Sequence, residues 1–313
     1  MNTVTPIVTL GEIEENIVDV KRDDLLPFSF GGNKVRIAQE YFLDMEEKGC
    51  NCLIGYGNAR SNLCRVLANM SSSKGIPCRI ISPDDTDGGR CDTANSFLVD
   101  VCGAEVITCP KTCVAQTVES VLKQCRAEGY NPYYIYGDKT GNGNEATPVR
   151  AYAKVYSQIK QQTKEAGVCY DMIFLATGTG MTQAGLLAGA ATFMEKQTII
   201  GISVARSAEQ ETQVLEKFIS AYLAENSISD MVKNPVIVTD DYLCGGYGKY
   251  DERISETIRS VYLNYGMQLD PTYSGKGFAG MLQWLKDNGM KNKRVLFLHT
   301  GGTPLFFEFL KNL

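Results

Sequence analysis

The sequence predicts an α/β protein with mainly parallel sheets, arranged as two lobes with a cleft between them. Three observations predict it. Short apolar runs alternate with longer segments of helical period along most of the 313 residues, the pattern of strands joined by crossover helices. The alternation occurs as two sets, before and after about residue 160. No repeat of about 20–50 residues appears, which excludes a solenoid.

The elements follow in order. Cys52–Tyr56 reads as a buried strand and leads into the helical stretch Ser61–Ser73. Cys78–Ser82 is the next strand, before a turn-rich segment, Asp84–Arg90. Thr93–Val101 is helix-like and Glu105–Thr108 a short strand. Thr112–Glu128 carries Val114, Val118, Val121 and Leu122 at helical spacing and stops at Gly129. Tyr133–Tyr136 reads as a strand and Asp138–Thr147 as a loop. In the second set, Met172–Ala176, Thr198–Val204, Val236–Val238 and Arg294–Leu298 read as strands. Gln183–Met194, Glu209–Leu223, Asp251–Tyr265 and Gly277–Asp287 read as helices.

Composition narrows the function. Hydrophobic residues make up 44% and charged residues 21%, as in globular proteins, so the chain can bury a sizeable core. The net charge is −5, from 31 basic and 36 acidic residues. Without a basic excess to neutralise a phosphate backbone, nucleic acid is not an expected partner. No apolar run approaches the roughly 18 residues of a membrane helix. Glu12, Glu14 and Glu15 follow soon after Met1, with no basic-then-apolar leader, so a soluble, cytoplasmic protein without a membrane partner is expected. There is one histidine, His299, so any histidine-dependent triad or metal site must use it. The eleven cysteines are scattered without a CxxC pair. They are expected to be reduced core residues, and no metal is expected.

Several glycine-rich segments carry polar side chains at strand or helix ends. Gly178-Thr179-Gly180-Met181-Thr182 follows a strand and opens a helix. Backbone N–H groups at such a junction suit a phosphate, although a tight turn without a ligand has the same sequence. Gly31-Gly32-Asn33-Lys34 places an amine on a short turn, either solvated or reactive in the company of a phosphate cup and a planar cofactor. Ser61 and Asn62 are either helix-cap residues or donors facing a cleft. Gly245-Gly246-Tyr247-Gly248, Asp270-Pro271-Thr272-Tyr273-Ser274-Gly275-Lys276 and His299-Thr300-Gly301-Gly302-Thr303 complete the set. Active sites gather at such ends of parallel strands.

In this order, GGNK, the Ser61-Asn62 loop, TGTGMTQAGLLAG, GGYG, DPTYSGK and HTGGTP resemble the pyridoxal-phosphate family of D-cysteine desulfhydrases and 1-aminocyclopropane-1-carboxylate deaminases, from about residue 28 to 307. The resemblance implies a tryptophan-synthase-β-like fold (fold type II), α/β with parallel sheets flanked by helices. It implies a large cofactor-binding domain of residues 1–37 plus 158–313, a smaller inserted domain of residues 38–157, and a homodimer. Lys34 looks like the lysine that holds pyridoxal phosphate as a Schiff base and moves protons. Asn62 matches the amide bonded to the cofactor's 3′-oxygen, and Gly178, Thr179, Gly180, Met181 and Thr182 match the phosphate cup. Ser61, Tyr247 and Tyr273 match positions facing the substrate, and Thr300 one near the pyridine nitrogen.

The resemblance implies a lyase acting on a small amino acid, most like D-cysteine giving pyruvate, ammonia and sulfide. A β-replacement enzyme on the same scaffold and a non-catalytic binding protein are the alternatives. Deaminases carry Glu and Leu where this chain has Ser274, which the resemblance places at the substrate, and Thr300, so ring-opening of 1-aminocyclopropane-1-carboxylate is not expected. Three positions depart from the family pattern. Arg60 replaces a Gln, Leu63 a His or Gln that helps hold the substrate carboxylate, and Ile37 a second lysine. Arg60 either binds an anionic group of the substrate, as a guanidinium can in a bidentate way, or points to solvent or an acidic neighbour.

Overall fold

The computed structural model describes residues 3–84, 91–228 and 234–311. Strands β1 (Ile7–Ile13) and β2 (Asn16–Arg22) form a hairpin turned by Glu14 and Glu15, at φ 49° and 59°. Two consecutive positive φ values give the turn whose twist suits an antiparallel pair. Helix α1 (Asn33–Glu47) follows, so Lys34 lies in the first turn of a long helix instead of on a short turn. Next come β3 (Cys52–Tyr56), α2 (Asn62–Lys74), β4 (Cys78–Pro83), α3 (Ala94–Val101), β5 (Glu105–Cys109), α4 (Val114–Ala127) and β6 (Pro132–Tyr134). Helix α5 (Ala146–Ala166) precedes β7 (Met172–Thr177), α6 (Met181–Thr192), β8 (Thr198–Ser203), α7 (Ala208–Glu225) and β9 (Ile237–Thr239). The last elements are α8 (Glu252–Tyr265), α9 (Ser274–Asp287), β10 (Arg294–His299) and α10 (Thr303–Leu310).

Local chemistry sets many of these bounds. Side chains of Ser61, Thr93, Ser207 and Asp251 accept backbone N–H bonds at the starts of α2, α3, α7 and α8, satisfying donors that a helix start leaves open. The strand expected over Tyr133–Tyr136 stops at Tyr134, whose carbonyl accepts from the Gly137 N–H in a turn. Apart from Asp84, the turn expected over Asp84–Arg90 lies outside the described residues.

Contacts divide the chain into two compact units, 1–33 with 148–313, and 34–147. The breaks fall in the first turns of α1 and α5, against the 37/38 and 157/158 that the resemblance implies. The first unit holds a six-stranded sheet, β1-β2-β10-β7-β8-β9, parallel except for β1. One core cluster packs Phe174, Ile200, Ile202, Val295 and Phe297 of the sheet with Ile254, Ile258, Phe278, Met281 and Leu285 of α8 and α9. Each such side chain contributes about 1.5–3 kcal/mol on burial. Helix α6 is buried on every side from Met181 to Ala191, as its all-round apolar sequence dictates. At Gly189 an added Cβ would lie 2.5 Å from the Cβ of Tyr156, so the glycine lets α5 and α6 approach closely.

The second unit holds four parallel strands, β5-β4-β3-β6. Strand order reverses between β7 and β10 in the first sheet and between β3 and β6 in the second. Ligands of open α/β sheets bind outside the carboxyl ends of strands at such reversals. The rule selects residues 178–182 and 300–303 in one unit and 57–62 in the other. No helix among the described residues is long and apolar enough to cross a membrane.

Candidate active site

The end of β7 leads through Gly178 and Thr179 to Gly180, which precedes α6 at φ 77°. The first N–H groups of a helix have no partner within it and carry the positive end of its dipole. No acidic side chain occupies the first turn of α6. At Gly178 a Cβ would come within 2.9 Å of Val204 Cγ2, so the turn is closed to larger residues. From behind, Arg206 donates to the Gly178 carbonyl at 2.8 Å and to Glu211 at 2.9 Å, and Glu211 also accepts from Thr177 at 3.0 Å.

Asn33 ties two further motifs to this turn. Its side-chain amide donates to Thr182 Oγ1 at 2.8 Å, and its backbone N–H donates to the Thr300 carbonyl at 3.1 Å. Gly32, at φ 98°, lies against Thr300 and Gly301. A Cβ on Gly301 would lie 2.6 Å from Gly32 Cα. The Gly32 N–H donates to the carbonyl of Asp23, whose buried carboxylate accepts from Thr5 at 2.6 Å and Tyr152 at 2.5 Å. The segments GGN, TGTGMT and HTGG thus meet within one unit.

His299 is fully buried, with both ring nitrogens engaged. Nε2 lies 2.6 Å from the Gln268 carbonyl, and Nδ1 accepts from the Gly301 N–H at 3.1 Å. This assigns the proton to Nε2, and burial lowers the pKa, so the ring is neutral. The single histidine shapes the turn that bears Thr300.

Tyr247 and Tyr273 touch through their hydroxyls, with their rings edge to face at 5.8 Å. Tyr273 precedes α9 and its N–H donates to Asp270 at 2.8 Å. Asp270 is fully buried and accepts from the N–H groups of Thr272, Tyr273 and Ser274 and from the Ser274 hydroxyl. Burial pushes its pKa up, and these donors oppose that shift. Ser274 is also fully buried. Its hydroxyl donates to Asp270 Oδ2 and accepts the Asp270 N–H, both at 2.8 Å, so it is bound up in the shape of this loop.

In the second unit, Ser61 caps α2 by accepting from Cys64 N–H at 3.2 Å, which leaves its O–H available to donate. Asn62 is the first residue of α2, and its Oδ1 accepts from Asn95 at 3.0 Å and Arg65 at 3.5 Å. That orientation commits the acceptor end and leaves the Nδ2 donors for another group. Asn95, fully buried on α3, donates from the same amide to the Arg60 carbonyl at 3.0 Å, while Thr93 donates to the Ala59 carbonyl at 2.5 Å. Arg60 is half-buried, Leu63 and Ile37 lie in the core, and Lys34 is half-buried.

The α6 turn fits the phosphate of a pyridoxal phosphate, since it offers N–H groups without a competing carboxylate. Asn33, Asp23, Asn95 and Asp270 escape a motif-based reading. The one signal for Asn33 and Asp270 is their place within GGNK and DPTYSGK, whereas Asp23 and Asn95 carry none.

The family described as pyridoxal-phosphate dependent enzyme matches residues 1–301. A D-cysteine desulfhydrase of Klebsiella pneumoniae is 29% identical over 319 residues, covering 99% of this chain and 94% of that protein. One from Serratia proteamaculans is 26% identical over 321 residues, again with 99% and 94% covered. Among solved structures, an ACC deaminase homologue superimposes with a TM-score of 0.86 at 27% identity, covering 99% of this chain and 93% of that one. A hydrogen sulfide-producing enzyme from Fusobacterium nucleatum shares the fold, with a TM-score of 0.66 at 18% identity, over 95% of this chain and 94% of its own. With its sheets and this match over nearly the whole chain, the chain belongs to the pyridoxal-phosphate dependent enzymes of fold type II, related to the D-cysteine desulfhydrase and ACC deaminase group, and its cofactor is pyridoxal phosphate.

Proposed function

We propose that this protein is a lyase that eliminates a β-substituent from a small amino acid, with D-cysteine converted to pyruvate, ammonia and sulfide. The observation that carries the reading is the contact between the Tyr247 and Tyr273 hydroxyls. A phenol bonded to a second phenol can give up its proton and be resupplied, which suits protonation of a departing group. The full-length similarity to two D-cysteine desulfhydrases supports the choice of substrate.

When bound, pyridoxal phosphate supplies an electron sink for the pair left by the α-proton. The chain's own residues do the rest. The N–H groups of Gly178–Thr182 hold the phosphate. Lys34 would hold the cofactor covalently and, once the substrate's amine has displaced it, its free amine would take the α-proton, and Asn62 would donate to the 3′-oxygen. The Thr300 hydroxyl serves the ring nitrogen, and the Ser61 hydroxyl faces the substrate. A phenol of the tyrosine pair protonates the sulfur as the C–S bond breaks, and water then releases ammonia and pyruvate. Arg60 supplies the anion contact that Leu63 no longer makes. Ser274 acts through Asp270 and the loop, without touching the substrate. The working form is a homodimer, which sedimentation of the holoenzyme tests.

The test is product analysis with D- and L-cysteine, D- and L-serine and 1-aminocyclopropane-1-carboxylate, with borohydride reduction and peptide mapping of the bound cofactor. The expected result is pyruvate and sulfide from D-cysteine and label on Lys34. Production of 2-oxobutyrate from 1-aminocyclopropane-1-carboxylate at a rate rivalling D-cysteine turnover would overturn the reading, as would label on another lysine.

A further inference from the structure

The loop that carries Tyr247 has little stiffness of its own. Cys244, Gly245, Gly246 and Gly248 sit at φ 49°, 86°, 104° and 72°. Glycines at positive φ restrict the backbone least, so such a stretch adopts one shape only when something outside it imposes that shape. Besides the Leu243 N–H bond to the Asp240 carbonyl at 3.3 Å and the contacts of the Cys244 thiol with Asp251 and Arg253, both at 3.4 Å, its local bonds are two turn contacts, Gly246 N–H to the Leu243 carbonyl at 3.0 Å and Lys249 N–H to the Gly246 carbonyl at 3.1 Å.

Both of those carbonyls accept a second bond from the same group. The Lys276 ammonium donates to Leu243 O at 2.7 Å and to Gly246 O at 2.8 Å, and reaches Val204 O at 3.5 Å. Lys276 is fully buried, and no carboxylate lies within ion-pair distance of it among the described residues. Its position is otherwise unfavourable. It stands in the first turn of α9, where the helix dipole disfavours a cation, and burial without a counterion adds to the cost. Three carbonyl oxygens converging on one ammonium are what offset this.

Lys276 and Tyr273 share one rigid turn, closed by the Gly277 N–H donating to the Tyr273 carbonyl at 2.8 Å. The turn that positions one phenol therefore also holds the loop that carries the other. Val204 adds the phosphate turn to the same assembly, since its N–H donates to Thr177 and its side chain fills the space beside Gly178.

We propose that Lys276 is a positioning residue, whose ammonium clamps the loop of residues 243–248 through its carbonyls and so holds the Tyr247 hydroxyl on that of Tyr273. The catalytic value of this clamp rests on the elimination reading above, but its structural effect can be measured without turnover.

The experiment is hydrogen exchange of the holoenzyme carrying Lys276→Met, which keeps the length of the side chain and removes its charge and donors. Peptides spanning 243–249 are compared with β7 as an internal reference. The expected result is exchange about tenfold or more faster in the loop, with β7 unchanged. Loop exchange equal to that of the parent overturns the clamp, whatever the activity. If β7 also loses protection, Lys276→Ala is measured with and without methylammonium. Recovery of loop protection on adding the ion supports the clamp, and no recovery overturns it. A loosened loop with unchanged pyruvate formation leaves the clamp standing and removes the tyrosine pair from the proposed chemistry, so the two readings fail separately.

Discussion

The side-chain amide of Asn33 donates to the hydroxyl of Thr182 at 2.8 Å, joining the residue before the candidate cofactor lysine to the candidate phosphate turn across 149 positions of sequence. The bond is buried and links the start of α1 with the start of α6. It fixes where the chain stands as it enters Lys34.

Asn33→Ala removes this bond and keeps the backbone bond to Thr300. A neutral hydrogen bond contributes about 1 kcal/mol, so affinity for pyridoxal phosphate should fall roughly fivefold. Asn33→Asp, which adds a negative charge next to the cup, should fall further. Cofactor titration of the apoprotein by absorbance checks both, and unchanged affinity in the pair removes Asn33 from the site's support.

Gly31→Ala should destabilise the fold. Gly31 sits at φ 67°, and an added Cβ would run into the Asp24 carbonyl. Gly49, at φ 63°, has nothing within 4 Å, so Gly49→Ala meets only the left-handed backbone cost. That cost is roughly 1–3 kcal/mol, and Gly31→Ala should exceed it by at least 1 kcal/mol, a further loss of about 2–4 °C in Tm. Equal Tm shifts in the two variants would count against this packing.

Stability should fall on mild acidification through His299. Burial lowers its folded pKa, whereas in the unfolded chain it titrates near the ordinary value of about 6.5. Above that value neither state holds the extra proton. As pH drops below it, the unfolded chain binds a proton that the folded one refuses, costing up to about 1.4 kcal/mol per pH unit until the lowered folded pKa is reached. Urea midpoints on either side of about pH 6.5 measure the slope, and His299→Gln should flatten it.

Asn95→Ala strips donors from the Arg60 carbonyl and from Asn62 Oδ1. Asn62 Oδ1 keeps only the longer bond from Arg65 at 3.5 Å, and losing the two Asn95 bonds should cost about 1–3 kcal/mol of stability. The Asn62 amide, oriented only by the longer Arg65 bond, should also bind pyridoxal phosphate less tightly. Unfolding and cofactor titration together check this. Lost stability with parental cofactor affinity would confine Asn95 to a packing role.

The strands β3 through β10 and helices α2, α3, α4, α6, α7, α8 and α9 are legible because each strand is a short apolar run and four of these helices begin at a capping side chain, whereas α5 escapes the reading. Helix α1 is harder to read. Arg36, Glu40 and Asp44 are buried on it beside Val35, Ile37 and Tyr41, so polarity along it does not mark an exposed face. The glycines and tyrosines of the site are legible as motifs, because a strained turn demands glycine and a proton donor demands a hydroxyl. Asn33, Asp23, Asn95 and Lys276 gain their roles from carbonyls and hydroxyls far along the chain, and no local spacing announces those partners. Ser274 illustrates the converse. Its place in a motif points to the substrate, and its hydroxyl turns to Asp270.

The place of β10 in its sheet has a consequence for synthesis. This last strand of the chain inserts between β2 and β7, and Asn16 accepts from the Lys293 N–H across 277 positions. A nascent chain therefore carries the β1–β2 hairpin with the β2 edge open until Arg294–His299 have been made. The unit of residues 34–147 contains all four of its strands and can fold in the meantime. Closure of the larger sheet is a late, long-range event, slow by its contact order and exposed to edge-to-edge association while it waits. Since the turns at 178–182 and 300–302 straddle that closure, a C-terminal truncation before β10 should yield a chain that cannot hold its cofactor and depends on chaperones.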